Sequence, residues 1–180
     1  MCSSDLVYAP KTKPELVHIP VYNFFAIEGK GNPNDEFFAE YIGVLYSLAY
    51  AVRMSPKKGI EPEGYYEYTV YPLEGIWDIC EESKNNSDCK FNKGDLVFNL
   101  MIRQPDFVTP GFAKAIIERT KQKKPHKLLD NVKFINIEEG KCVQMMHLGS
   151  YDDEPKSFKR MKEFCDENNL RRTKKQHRER

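Results

Sequence analysis

The sequence has no excess of charge of either sign: 28 lysines and arginines face 27 aspartates and glutamates, a formal net charge of +1 over 180 residues. A surface built to hold phosphate backbones concentrates lysine and arginine, so this balance argues against nucleic acid as a partner. Cysteine is scarce and unpatterned. Cys2, Cys80, Cys89, Cys142 and Cys165 form no Cys-x-x-Cys pair and no zinc spacing with the four histidines. Reduced structural thiols are expected, with no metal and no other cofactor. Long apolar runs are lacking too: the longest, IGVLYSLAYAV, is too short to span a bilayer, and the opening MCSSDLVYAPKTKPE has no apolar signal core. These absences lead to the expectation of a soluble, cytoplasmic protein with no membrane partner. One domain of this length buries about two thirds of its unfolded surface and needs no disulfide or metal staple.

What the chain does have is aromatic residues in unusual places. EGYYEYTVYPLEGIW, residues 63–77, sets Tyr65, Tyr66, Tyr68, Tyr71 and Trp77 around Glu67 and Glu74. Read as a strand, it carries tyrosines on both parities, where a half-buried strand alternates one apolar and one wet face. One face is then expected to join the core and the other to line a groove for a flat ligand. LVFNLMIRQP repeats the pattern, with Leu96, Phe98, Leu100 and Ile102 on one face and Val97, Asn99, Met101 and Arg103 on the other.

The remaining elements follow from local signals. Residues 1–15 read as a polar, proline-bearing arm, and residues 16–180 as one domain. VHIPVYNFFAIEG reads as a strand, followed by a turn and a helix from Glu36 to about Met54 that is apolar nearly all round. GKGNPN lacks the third glycine and the Lys-Ser/Thr pair of a phosphate loop, so it reads as turn and helix cap. Thr109 and Pro110 open a second helix. NVKFINIEEGKCVQMMHLG reads as a hairpin turning at Glu139 and Gly140. SYDDEPKSFKRMKEFCDENNL makes a third helix, with Phe158, Met161, Phe164 and Cys165 on its inner stripe.

Two stretches resemble each other: FFAIEGKGNPNDEFFAEY and VQMMHLGSYDDEPKSFKR each run strand, glycine (Gly31, Gly149), turn, then Asp-Glu opening a helix. An internal duplication predicts a strand after the last helix, where the sequence has only RRTKKQHRER. That strand is expected to be truncated, leaving a sheet edge that a second copy could cover, so monomer and homodimer are both open.

GKGNPNDEFFAEYIGVLYSLAYAVRMSPKKG, EGYYEYTVYPLEGIW, LMIRQPDFVTP, CVQMMHLGSYDDEP and RRTKKQHRE closely resemble the stand-alone GyrI-like small-molecule-binding domain proteins, over nearly the whole chain from about residue 18. The resemblance implies an α+β fold: two pseudo-symmetric β-hairpin and helix halves form an antiparallel sheet with long helices and a ligand groove between them. It also implies either effector sensing, as in transcription regulators, or hydrolysis of cyclopropanoid, DNA-alkylating compounds. The short segment before the first strand leaves no room for a helix-turn-helix module, which weakens the regulator reading.

A flat, hydrophobic, aromatic small molecule is the expected partner, stacked on Tyr46, Tyr66, Tyr68, Tyr71, Trp77 and Tyr151. Met101, Arg103, Met145 and His147 are further candidates to line the groove. For an enzyme, the glutamate of the family's His-Arg-Glu motif corresponds to Glu179 and is the candidate general base, with Glu67 and Glu74 as substitutes and Glu67 ranked second. A non-catalytic sensor or sequestering module, acting on a protein partner, is the alternative that the same residues leave open.

Overall fold

The computed structural model describes residues 5–79, 93–150, 153–173 and 177–180. Cys2, Cys80, Cys89 and Tyr151 lie outside the described residues, while Cys142 and Cys165 are free thiols. The fold is α+β with antiparallel sheets, as the resemblance implies. The chain forms two compact units, residues 1–21 with 138–175 and residues 22–137 with 176–180.

In the first unit, the single turn α1 (Asp5–Tyr8) precedes β1 (Glu15–Ile19), which pairs antiparallel with β6 (Gly140–Gln144). The amide of Met146 donates to the Lys11 carbonyl at 2.7 Å. Glu15 accepts from Gln144 and pairs with Lys11, and the hydrogen bond from Lys11 holds its carboxyl below the usual range. The helix after β6 spans Glu154–Glu167 (α4), with Phe158, Met161, Phe164 and Cys165 half-buried on one stripe, at the spacing expected.

The second unit is a five-stranded antiparallel sheet in the order β5-β2-β4-β3-β7. Its strands are β2 (Tyr22–Lys30), β3 (Leu73–Ile79), β4 (Leu96–Gln104), β5 (Lys133–Ile137) and β7 (His177–Glu179). Helix α2 (Phe37–Arg53) and helix α3 (Pro110–Lys123) cover one face. Thr109 caps α3 by accepting the amide of Phe112 at 3.2 Å, and Pro110 takes the first position, where no amide hydrogen is needed.

The register fixes which side chains share that face. Phe25 lies opposite Ile102 and Phe134, Ile27 opposite Leu100, and Leu73 opposite Ile102. Phe25, Ile27, Leu100 and Ile102 are at most 1% exposed and meet Val44, Leu45, Leu48, Ala49 and Val52 of α2. The all-round apolar pattern of α2 therefore divides: one stripe enters the core, while Tyr50 stays 55% exposed. Phe37, Phe38 and Tyr41, on the first turns, instead gather around Phe98 at ring centroid distances of 6.5, 5.2 and 5.3 Å.

Three sequence expectations are corrected. VHIPVYNFFAIEG is two strands: Pro20 has no N–H for a ladder, and β1 and β2 pair with different partners on either side of it. NVKFINIEEGKCVQMMHLG makes no hairpin: β5 pairs with β2 and β6 with β1. A two-residue hairpin needs positive φ at both central residues or at the first, and at Glu139–Gly140 only the second has it, at +67°. Finally, only residues from Leu73 onward in EGYYEYTVYPLEGIW form a strand, and residues 63–72 are irregular. Tyrosines on both parities there carry no strand periodicity because there is no strand. Gly31 and Gly149, which open the two similar stretches, do share a positive φ, +132° and +126°.

Gly29 marks the tightest point of the sheet. A Cβ there would lie 2.4 Å from the Phe98 ring and 2.9 Å from that of Tyr41. Gly29→Ala is expected to cost about 1–3 kcal/mol by displacing this ring cluster, measured as a lower midpoint in chemical denaturation.

Candidate functional site

Arg53 fastens residues 63–72 to α2. Arg53, at the end of the helix, donates from Nε to the Tyr68 carbonyl (2.5 Å), from Nη1 to the Tyr65 hydroxyl (3.0 Å) and from Nη2 to Glu67 (2.8 Å). The Tyr65 hydroxyl donates in turn to the Arg53 carbonyl at 3.0 Å. The side chain thus supplies partners that a neighbouring strand would otherwise supply. Glu67, with its side chain 77% exposed and paired with Arg53, helps fasten the segment.

Fastening the backbone this way packs the rings around Phe107, which lies beyond β4. Tyr65, Tyr66 and Tyr68 approach its ring at 5.2, 5.3 and 5.9 Å, and Tyr68 stacks on Tyr71 at 6.1 Å and 28°. Tyr66 keeps 47% of its surface exposed. The Tyr68 hydroxyl is buried with no hydrogen-bond partner among the described residues. Burial pushes its pKa well above the usual value of 10.0, so it stays a neutral donor.

Arg103 closes the other side of Tyr71. Its guanidinium lies 3.3 Å from the ring centroid of Tyr22 and 4.6 Å from that of Tyr71. Its Nε and Nη1 are buried without a hydrogen-bond partner among the described residues. A guanidinium offers two N–H edges for planar acceptors, and each of them includes one of these nitrogens.

The short strand β7 supplies the carboxylate. Its register sets Glu179 opposite Gly75, Arg178 opposite Ile76 and His177 opposite Trp77. On one face, Glu74 is 1% exposed and its Oε2 accepts from Arg178 Nε at 2.8 Å and Arg180 Nε at 3.1 Å. Arg178 also lies 4.5 Å from the Phe24 ring centroid and donates from Nη2 to the Met101 sulfur at 3.2 Å. With two arginines committed to that face, Glu179 between them must take the opposite, helix-bearing face, beside Gly75 and Trp77.

Gly75 leaves room there. A Cβ on it would lie 2.8 Å from Trp77 Nε1, so the indole nitrogen lies over this glycine, the residue facing Glu179. That N–H is buried and lacks a partner among the described residues. The indole stacks on Phe38 at 5.9 Å and 29°. Glu179 is partly exposed and lies 3.4 Å from His177 Nε2.

The other candidates lie on other elements. Tyr46 stands against Tyr50 on α2, with ring centroids 6.3 Å apart. Met101 is fully buried beneath Arg178. Met145 and His147 belong to the first unit and follow the end of β6. His147 is engaged at both ring nitrogens, with Ser157 Oγ and the Ser150 carbonyl, each at 2.9 Å. The carbonyl only accepts, so Nε2 carries a proton.

Gly75, Arg178 and Phe107 were not among the sequence candidates, and Glu74, a substitute base on the sequence, is buried against Arg178 and Arg180. Their signal was faint: arginines at positions 178 and 180 alternate around Glu179, the spacing that puts both on one strand face.

The buried Tyr68 phenol makes stability depend on alkaline pH. Its folded pKa is raised, so its contribution is complete below the unfolded value near 10 and falls away as pH rises beyond it. Thermal denaturation across this range should show Tyr68→Phe losing less stability above about pH 10 than the parent chain. Parallel losses would mean that Tyr68 ionises normally.

The profile of the GyrI-like small molecule binding domain matches residues 12–180. Among solved structures, a hydrolase from Listeria innocua is 32% identical, with a TM-score of 0.84 covering 98% of this chain and 89% of that one. An uncharacterized conserved protein from the same organism is 34% identical, with a TM-score of 0.80 covering 96% and 83%. No curated protein sequence matches. The chain therefore belongs to the GyrI-like small-molecule-binding domain family.

Proposed function

We propose that the chain binds a flat, hydrophobic small molecule against its aromatic side chains and hydrolyses cyclopropanoid, alkylating compounds with Glu179 as general base. The observation that carries this reading is the pairing over Gly75: a carboxylate on β7 faces the glycine over which lies a Trp77 N–H that has no partner among the described residues. Trp77, Tyr68 and Tyr71 supply ring faces, each stacking contact adding about 0.5–1.5 kcal/mol beyond area burial. Similarity to Listeria innocua proteins described as hydrolases supports an enzymatic role.

Glu179 takes a proton from water as the water oxygen bonds to a cyclopropane carbon. The strained C–C bond breaks and its electron pair moves onto the conjugated carbonyl oxygen, which is then protonated. The sum is addition of one water. The Trp77 indole N–H is a donor suited to the charge developing on that oxygen. Glu67, exposed and paired with Arg53, is less suited to accept a proton.

A non-catalytic sensor or sequestering role has its own support, because the rings around Phe107 together with Arg103 form a binding surface that does not include Glu179. One experiment separates the two. The chain is incubated with a cyclopropanoid alkylating compound, product is followed by mass spectrometry, and binding is followed by Trp77 fluorescence. Glu179→Gln is expected to lower turnover by about 10²–10⁴-fold with binding retained. Equal turnover in the variant removes Glu179 from the mechanism. Binding without product in the parent chain leaves the non-catalytic role.

A further inference from the structure

A recess of about 230 Å³ lies between α2, the turn at Pro56–Lys58 and α3. It shares no residue with the ring cluster or with β7. Tyr50, Met54, Ile60 and Ile116 give it apolar walls, and Tyr50 presents a ring that is 55% exposed. Its rim is cationic: among the described residues Lys58, Arg119, Lys123 and Lys124 line it, and no aspartate or glutamate does.

These cations differ from their neighbour Lys121. Lys121, on the same helix, pairs with Glu118 at 3.2 Å and Asp130 at 2.8 Å, which raises its pKa. Among the described residues, no ion pair is formed by Lys58, Arg119, Lys123 or Lys124. Basic residues in a last helical turn offset the helix dipole. That accounts for Lys123, but not for Lys58, which comes from a separate turn, or for Arg119, a turn earlier.

The hydroxyls at the recess sort in the same way. Ser47 donates to the Val44 carbonyl at 2.7 Å and Thr120 to the Ile116 carbonyl at 2.8 Å. Ser55 is only 1% exposed and its hydroxyl has no partner among the described residues. Its backbone is fully used, the carbonyl accepting from the amides of Lys58 and Ile60, each at 3.0 Å. A buried hydroxyl without a partner carries a desolvation cost that a bound acceptor would offset.

We infer that this recess is a second binding site, for a small amphipathic anion: one aromatic ring or short aliphatic chain bearing a carboxylate or phosphate. The volume, below the roughly 300–1,000 Å³ of drug-sized sites, limits the ligand to about one ring. The ring lies on Tyr50 and Ile116, the anion faces the rim, and Ser55 donates to an oxygen of the ligand.

The test uses the isotope-labelled full chain and amide chemical shifts, titrated with phenyl phosphate, benzoate and the uncharged benzyl alcohol. Both anions should shift residues 47–60 and 116–124, more weakly at high salt, while benzyl alcohol binds far less. The double variant Arg119→Gln, Lys123→Gln should bind about tenfold more weakly with an unchanged melting temperature, both side chains being exposed. Ser55→Ala should weaken binding without destabilising the unliganded chain, since its hydroxyl has no bond to lose. Shifts scattered elsewhere, equal binding of benzyl alcohol, or full affinity in the double variant would overturn the assignment. Failure here leaves the Glu179 reading untouched, because the probes and residues differ.

Discussion

The buried carboxylate of Glu74, shared between Arg178 and Arg180, is the contact on which the candidate site depends. A three-residue strand has too few ladder bonds to hold its own register. A wrong register by one residue would turn Glu179 to the other face of the sheet. Two arginines at alternate positions, both drawn to one desolvated carboxylate, exclude that slip. Removing one side of such a pair leaves an uncompensated buried charge, with a penalty of about 3–5 kcal/mol. The ion pair therefore serves to aim a neighbouring residue.

The rest of the site consists of polar groups without protein partners, set among rings. Trp77 Nε1, the Tyr68 hydroxyl and two nitrogens of Arg103 are all buried and unsatisfied among the described residues. Buried polar groups are almost always hydrogen-bonded, so these exceptions stand out. Each is also held in place by packing: Trp77 by Phe38, Tyr68 by Phe107 and by Arg53 on its carbonyl, and Arg103 by two tyrosines. Donors fixed before the ligand arrives need no reorganisation when charge develops.

Elements governed by local chemistry were legible in the sequence. The Thr109 cap with Pro110, helix α2 and the half-buried stripe of α4 follow from spacing and capping alone. Strand partners were not legible, because pairing is decided by contacts distant in sequence. The stretch through Pro20 looked like one strand, and the stretch through Gly140 looked like a hairpin. The reading of residues 63–72 as a strand failed because Arg53, a residue of the preceding helix, satisfies the Tyr68 carbonyl that a strand neighbour would otherwise take. The family resemblance pointed to Glu179, but only the register of β7 brings it opposite Gly75.

The most direct test of the central claim is amide hydrogen exchange at residues 177–180 in the parent chain and in Glu74→Gln. The account predicts that the neutral substitution releases β7, with protection at His177, Arg178 and Glu179 falling while β2 and β4 stay protected. Unchanged protection of β7 would contradict it, and would mean that something other than the Glu74 carboxylate holds Glu179 in place.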